Sequence, residues 1–215
     1  MKKLSKTNVN NMKKGAVAIA LVASLGLAGL SAYFTDHQSA QNTFTVGSVK
    51  QTLTEPSWDE TKEPGKNMVP NQVFAKDPTI TNVGENDQYV FMKVEVPAAN
   101  VTTLNEDGTK GTTTSQELFT YKINGDWKEL VDKKKTTATS VTHVYYYGTD
   151  AGLTKLAKNQ KTTLFTSVQF KNIVEGEVEG EKKININSYG IQSENLNLTE
   201  TTPANVWKLL ESQSK

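Results

Sequence analysis

From residue 33 onward the apolar residues of this chain recur at every second position more often than at helical spacing, as in Val90, Met92, Val94 and Val96, or Val141, Tyr145 and Tyr147. A period of two puts alternate side chains on opposite faces of an extended chain, so it predicts half-buried strands. β-Branched and aromatic residues, which suit a pleated surface, are abundant in the same stretches. Strands are expected over 43–53, 73–83, 88–96, 118–123, 127–131, 141–147, 162–170 and 183–191. Eight short strands separated by turn-rich segments predict an all-β fold, an antiparallel β-sandwich of jelly-roll type.

The connections carry their own signals. Asn124-Gly125 lies between Phe119-Thr120-Tyr121-Lys122-Ile123 and Asp126-Trp127-Lys128-Glu129-Leu130, and predicts a two-residue hairpin turn with positive φ angles. Gly84-Glu85-Asn86-Asp87 reads as a tight connection between two strands. The polar stretch 100–116, with Asp107-Gly108, reads as a long hairpin or a surface loop, and so does 55–67. Helix is expected at the end, where Thr202 is placed to cap and Pro203 to open a short helix whose apolar face carries Val206, Leu209 and Leu210, with Trp207 beside it. The segment 151–157 is a second, weaker candidate, for a helix or for no more than a turn.

The first 32 residues follow a different logic. Lys2, Lys3, Lys6, Lys13 and Lys14 precede an apolar run over 15–30, and the small residues Ser31 and Ala32 follow it. This is the order of a secretory signal peptide. The run is glycine-interrupted and shorter than the about 20 apolar residues that span a bilayer. Residues 1–32 are therefore read as a cleaved signal peptide and 33–215 as a secreted domain with no stable membrane anchor. Cleavage after Ala32 or after Tyr33 fits, and Ala32 is favoured for its small side chain. The last residues show neither an apolar tail nor a wall-sorting pattern.

All five of those lysines lie in a stretch without acidic residues, so the remainder carries more carboxylates than lysines. Nucleic acid is not an expected partner, since its recognition calls for a basic stripe. The chain has no arginine, which removes bidentate phosphate recognition. It has no cysteine, which removes disulfides, thiolate nucleophiles and cysteine-zinc sites. His37 and His143 are the two histidines, and neither belongs to a His-Glu-x-x-His pattern. His143 reads as a strand residue between Val141 and Tyr145, and His37 as an exposed polar residue. No Gly-x-Ser-x-Gly elbow and no phosphate-cradling glycine loop occur. The acidic stretches 105–108 and 175–181 lack the twelve-residue calcium-loop spacing, which leaves loose calcium binding there as an alternative. In Val144-Tyr145-Tyr146-Tyr147 alternation sends Tyr145 and Tyr147 one way and Tyr146 the other, which favours packing over a stacking platform for sugars or bases. No catalytic residue, metal or cofactor is expected, and a structural role is favoured over an enzymatic one.

The residues around the leader junction carry a resemblance. Ala32-Tyr33-Phe34-Thr35-Asp36, followed by Asn42-Thr43-Phe44-Thr45-Val46-Gly47-Ser48-Val49, resembles the camelysin/TasA family of secreted Gram-positive proteins. Lys76-Asp77-Pro78-Thr79-Ile80-Thr81-Asn82-Val83-Gly84, Tyr89-Val90-Phe91-Met92-Lys93-Val94, Thr163-Leu164-Phe165-Thr166-Ser167-Val168 and Tyr189-Gly190-Ile191-Gln192 extend the likeness through most of the chain. The resemblance implies a jelly-roll sandwich, release by a dedicated signal peptidase, and a structural role in the fibres of the biofilm matrix. In such fibres a strand donated by one subunit completes a sheet of the next. The donor would here be 33–42, running into 43–49 as the protein's own first strand, with Tyr33, Phe34, Thr35, Asp36, Phe44 and Val46 as the self-assembly residues. Because 36–42 is polar, its grip would rest on Tyr33, Phe34 and backbone bonding. The same family implies a rival, a metal-dependent cell-surface protease. A monomeric adhesin or binding module is a third expectation.

Overall fold

The computed structural model describes residues 35–39, 42–45, 49–58, 67–178 and 180–213, the first two segments by backbone alone, and among these residues the regular structure is sixteen strands, one α-helix and a short 3₁₀ turn at Val131–Lys133. The expected leader, residues 1–32, lies outside the described residues. The strands begin with β1 (Thr35–Ser39), β2 (Asn42–Thr45), β3 (Gln51–Thr54), β4 (Val73–Ala75), β5 (Thr79–Asn82) and β6 (Gln88–Thr103). They continue with β7 (Thr114–Glu117), β8 (Phe119–Thr120), β9 (Trp127–Glu129), β10 (Lys135–Thr136) and β11 (Ser140–Thr149). The last are β12 (Gly152–Leu153), β13 (Lys161–Thr163), β14 (Ser167–Phe170), β15 (Ile173–Glu175) and β16 (Asn185–Gln192), followed by helix α1 (Pro203–Gln213).

The main sheet runs β10-β11-β6-β16-β1-β2, with β7 and β15 added along β6 and β9 and β12 along β11. Two three-stranded sheets, β13-β5-β3 and β4-β14-β8, complete the structure. β6 is the organiser. Its residues 88–95 pair with β16 and residues 91–97 with β11. Pro97, which has no N–H to donate, marks the change of partner, after which 98–101 pair with β7.

Alternation along β6 sorts two cores. Val90, Met92, Val94 and Val96 face the small sheets, where they meet Phe74, Ile80, Phe119, Leu164, Phe165, Val168 and Phe170. Phe91 faces the other way and packs with Tyr189, Ile191 and the helix residues Val206, Trp207 and Leu210. Trp207 sits 5.4 Å from the Phe91 ring and 5.0 Å from that of Tyr189. The helix begins as expected, with Thr202 Oγ1 accepting the Asn205 N–H at 3.2 Å.

Three expected strands prove to be two each: 43–53 divides into β2 and β3, 73–83 into β4 and β5, and 162–170 into β13 and β14. At every break the chain leaves one sheet for another, so the alternation persists while the hydrogen-bond partner changes. The Asn124-Gly125 hairpin is a correction. A turn is present, with the Trp127 N–H donating to Asn124 O at 3.0 Å. The flanking strands, however, do not pair: β8 joins β14 and β9 joins β11. Neither Asn124 nor Gly125 has a positive φ, because Asn124 is bound instead to the 163–164 segment through its N–H and its Nδ2, each at 2.7 Å. The helical candidate at 151–157 is likewise overturned: Gly152–Leu153 forms β12, folded back on β11. The 100–116 stretch is a long hairpin, β6 against β7. Among the described residues no helix is long and apolar enough to cross a membrane.

Replacing Trp207 by Ala removes the contact that seats the helix on the sheet. Urea denaturation is expected to show a loss of about 3–5 kcal/mol, the usual cost of emptying a buried aromatic site.

Candidate functional site

The N-terminal strand of the described residues lies next to the edge of the main sheet, between β16 and the edge strand β2. β1 pairs antiparallel with β16, Thr35 opposite Ile191, Asp36 opposite Gly190 and Ser39 opposite Asn187. β2 folds back on β1, with Asp36 opposite Thr45 and His37 opposite Phe44. Among the expected assembly residues, Thr35, Asp36 and Phe44 are thus brought into one hairpin on the chain's own sheet. Tyr33, Phe34 and Val46, and the junction residue Ala32, lie outside the described residues. No described strand pairs with the outer side of β2.

Beneath β1, strand β16 is braced by buried amides. Gln51, Asn82, Gln88 and Ser188 are all fully buried. The Gln51 side-chain amide is hydrogen bonded to Ser188 Oγ at 3.1 Å. Gln88 Nε2 donates to Lys50 O at 2.9 Å and to Asn82 Oδ1. Asn82 Nδ2 donates in turn to the carbonyls of Asn86 and Leu156 at 2.9 and 2.8 Å. Gly190 completes the arrangement, since a Cβ there would stand 2.7 Å from both the Gln51 and the Gln88 amides. Buried amides hold position well only when bonded, and this set ties β3, β6 and β16 together directly under the register positions that receive Asp36 and Gln38. The receiving edge is therefore built from residues outside β1. The sequence did offer a signal for one member: Gln88 is in phase with Val90, Met92 and Val94, hence inward-facing.

The second polar cluster surrounds His143, which is 6% exposed on β11. Its Nδ1 lies 2.7 Å from Glu129 Oε1 on β9 and its Nε2 lies 3.0 Å from Glu117 Oε1 on β7. The ring stacks on Tyr145 with centroids 5.9 Å apart, and Tyr121 meets it edge-on. Burial works against charge on the imidazole, but the bonds to Glu117 and Glu129 outweigh it and hold its pKa above the ordinary value of 6.5. Glu117 moves the opposite way: burial opposes ionisation, yet the His143 bond and the nearby charges of His143, Lys134 and Lys171 keep its carboxyl below the usual range. With both nitrogens engaged on opposite sides of the ring, His143 presents neither to a metal ion. Among the described residues no group of three His, Asp or Glu is arranged to hold one. Tyr145 and Tyr147 pack toward the small sheets and Tyr146 toward the helix, as the alternation requires.

Compared with known proteins, the chain matches no family model, no curated protein and no solved structure at a significant level.

Gly190→Ala is expected to destabilise the fold by about 1–3 kcal/mol through overpacking against the two amides. Gly125→Ala, where an added Cβ meets nothing within 4 Å, is the control, expected within about 0.5 kcal/mol of the parent in the same denaturation experiment.

Proposed function

We propose that this chain is a secreted structural protein of the extracellular or biofilm matrix that self-assembles into fibres by donating its N-terminal strand. The observation that carries the reading is the seat of β1. A five-residue strand is held by backbone pairing with β16 on one side and with β2, its own continuation and the edge strand, on the other, and the β16 side that receives it is braced from within by Gln51, Gln88 and Ser188. A strand held in this way can be exchanged for the same strand of a second copy, because backbone hydrogen bonds are indifferent to which chain supplies them. The segment also begins within the junction Ala32-Tyr33-Phe34-Thr35-Asp36, so removal of the leader by a signal peptidase would free it to reach a neighbour.

On this reading the stacked antiparallel sheets are a jelly roll of the camelysin/TasA type, and the tyrosines of β11 serve packing rather than ligand stacking. His143, enclosed by two carboxylates, lends no support to the metal-dependent protease alternative.

The test compares protein spanning 33–215 with protein starting at Thr43 by negative-stain electron microscopy. Filaments are expected from the longer form alone. Filaments from neither, or equally from both, contradict strand donation.

A further inference from the structure

An ionised carboxylate only accepts hydrogen bonds. Since the atoms facing His143 Nδ1 and Nε2 are oxygens of Glu129 and Glu117, both ring nitrogens must donate, and the ring in this geometry is an imidazolium. The bridge joins three strands that are far apart in the chain, β7, β9 and β11. Its position is mechanically significant. Glu117 is the last residue of β7, at the base of the 98–117 hairpin, and two residues later Phe119 pairs with Phe170 in a different sheet. The bridge thus ties down the point where the chain crosses between layers.

We propose that His143 is a pH-operated latch: its protonated ring ties Glu117 to Glu129, and loss of one ring proton in alkaline surroundings releases Glu117 and loosens the β7 end of the hairpin. A neutral imidazole keeps one N–H, and its other nitrogen turns a lone pair toward a carboxylate. The remaining proton stays with Glu129, the shorter contact at 2.7 Å. Glu117 has other cations to turn to, Lys134 Nζ at 3.8 Å and the nearby Lys171.

The other groups facing the ring do not compete for the proton. Tyr121 and Tyr145 share a hydrogen bond of 2.9 Å, and burial holds both phenols neutral well above their ordinary range. The imidazole's folded-state pKa is raised, so the latch contributes its full stabilisation below 6.5 and loses it as pH rises through the raised value.

The test uses ¹⁵N-labelled protein as recovered from the producing host, followed from about pH 5 to about pH 9, the interval that brackets histidine titration. Ring ¹⁵N shifts report the protonation of His143, and amide exchange over 114–118, corrected for its intrinsic pH dependence, reports the latch. Both ring nitrogens are expected to carry protons near neutrality. Protection over 114–118 is expected to fall about tenfold with the same midpoint as the ring, the loss typical of one hydrogen bond to a charged group. In Glu117→Gln the amide can accept from the charged ring or donate to the neutral one, so protection there is expected to stay level. A ring that titrates at or below the ordinary histidine value overturns the proposal. So does a titration that leaves 114–118 unchanged, or a Glu117→Gln protein that follows the parent curve.

Discussion

The structure depends on one strand. β6 is paired along its whole length, with β16 and β11 on both sides over 91–95, and its alternation contributes to both cores at once, Val90, Met92, Val94 and Val96 toward the small sheets and Phe91 toward the helix. The helix covers Phe91 together with Tyr189 and Ile191 of β16, and the small sheets cover Val90, Met92, Val94 and Val96. A register slip of one residue would exchange the two faces, setting Lys93 and Glu95 among Phe74, Phe119, Phe165 and Phe170 of the small-sheet core. Every pairing that positions β16, and therefore the edge on which β1 lies, follows from that register.

The edge and the histidine cluster solve the same problem in different ways. Buried polar groups are costly unless bonded. Around β16 the solution is neutral, a chain of amides running from Asn82 through Gln88, with Gln51 bonded to Ser188 and Gly190 making room for both glutamines. Around His143 it is ionic, with a cation between two anions. The neutral set is insensitive to pH and suits a surface that must stay in register for another strand. The ionic set ties distant strands together only while the ring is charged.

Much of the fold was legible in the sequence because alternation is a local property. The strand around Val141, the opposed directions of Tyr145 and Tyr146, and the Thr202-Pro203 start of the helix all depend on neighbours within a few residues. Partner choice does not. Asn124-Gly125 has the composition of a hairpin, yet the segment 163–164, some forty residues away, claims the hydrogen bonds of Asn124 and the strands part. The divided strands show the same limit, since nothing local to 73–83 says that its two halves belong to different sheets. The partners of His143 were hidden for a like reason, lying 26 and 14 residues away in the chain. Glu129 alone carried a hint, being two residues past the buried Trp127 and so in phase with it.

Strand donation requires that β1 leave its own β16 for that of a neighbour. The chain has no cysteine, so two can be introduced without competition. Ser39 and Asn187 are register partners across β1 and β16, and directly opposed residues of an antiparallel pair are close enough for a disulfide. Two single variants, Ser39→Cys and Asn187→Cys, mixed under filament-forming conditions and oxidised, should yield a disulfide-linked pair of different chains on non-reducing electrophoresis. If the mixture stays unlinked, while the double variant closes its disulfide within one chain, β1 does not leave its own sheet and strand donation is wrong.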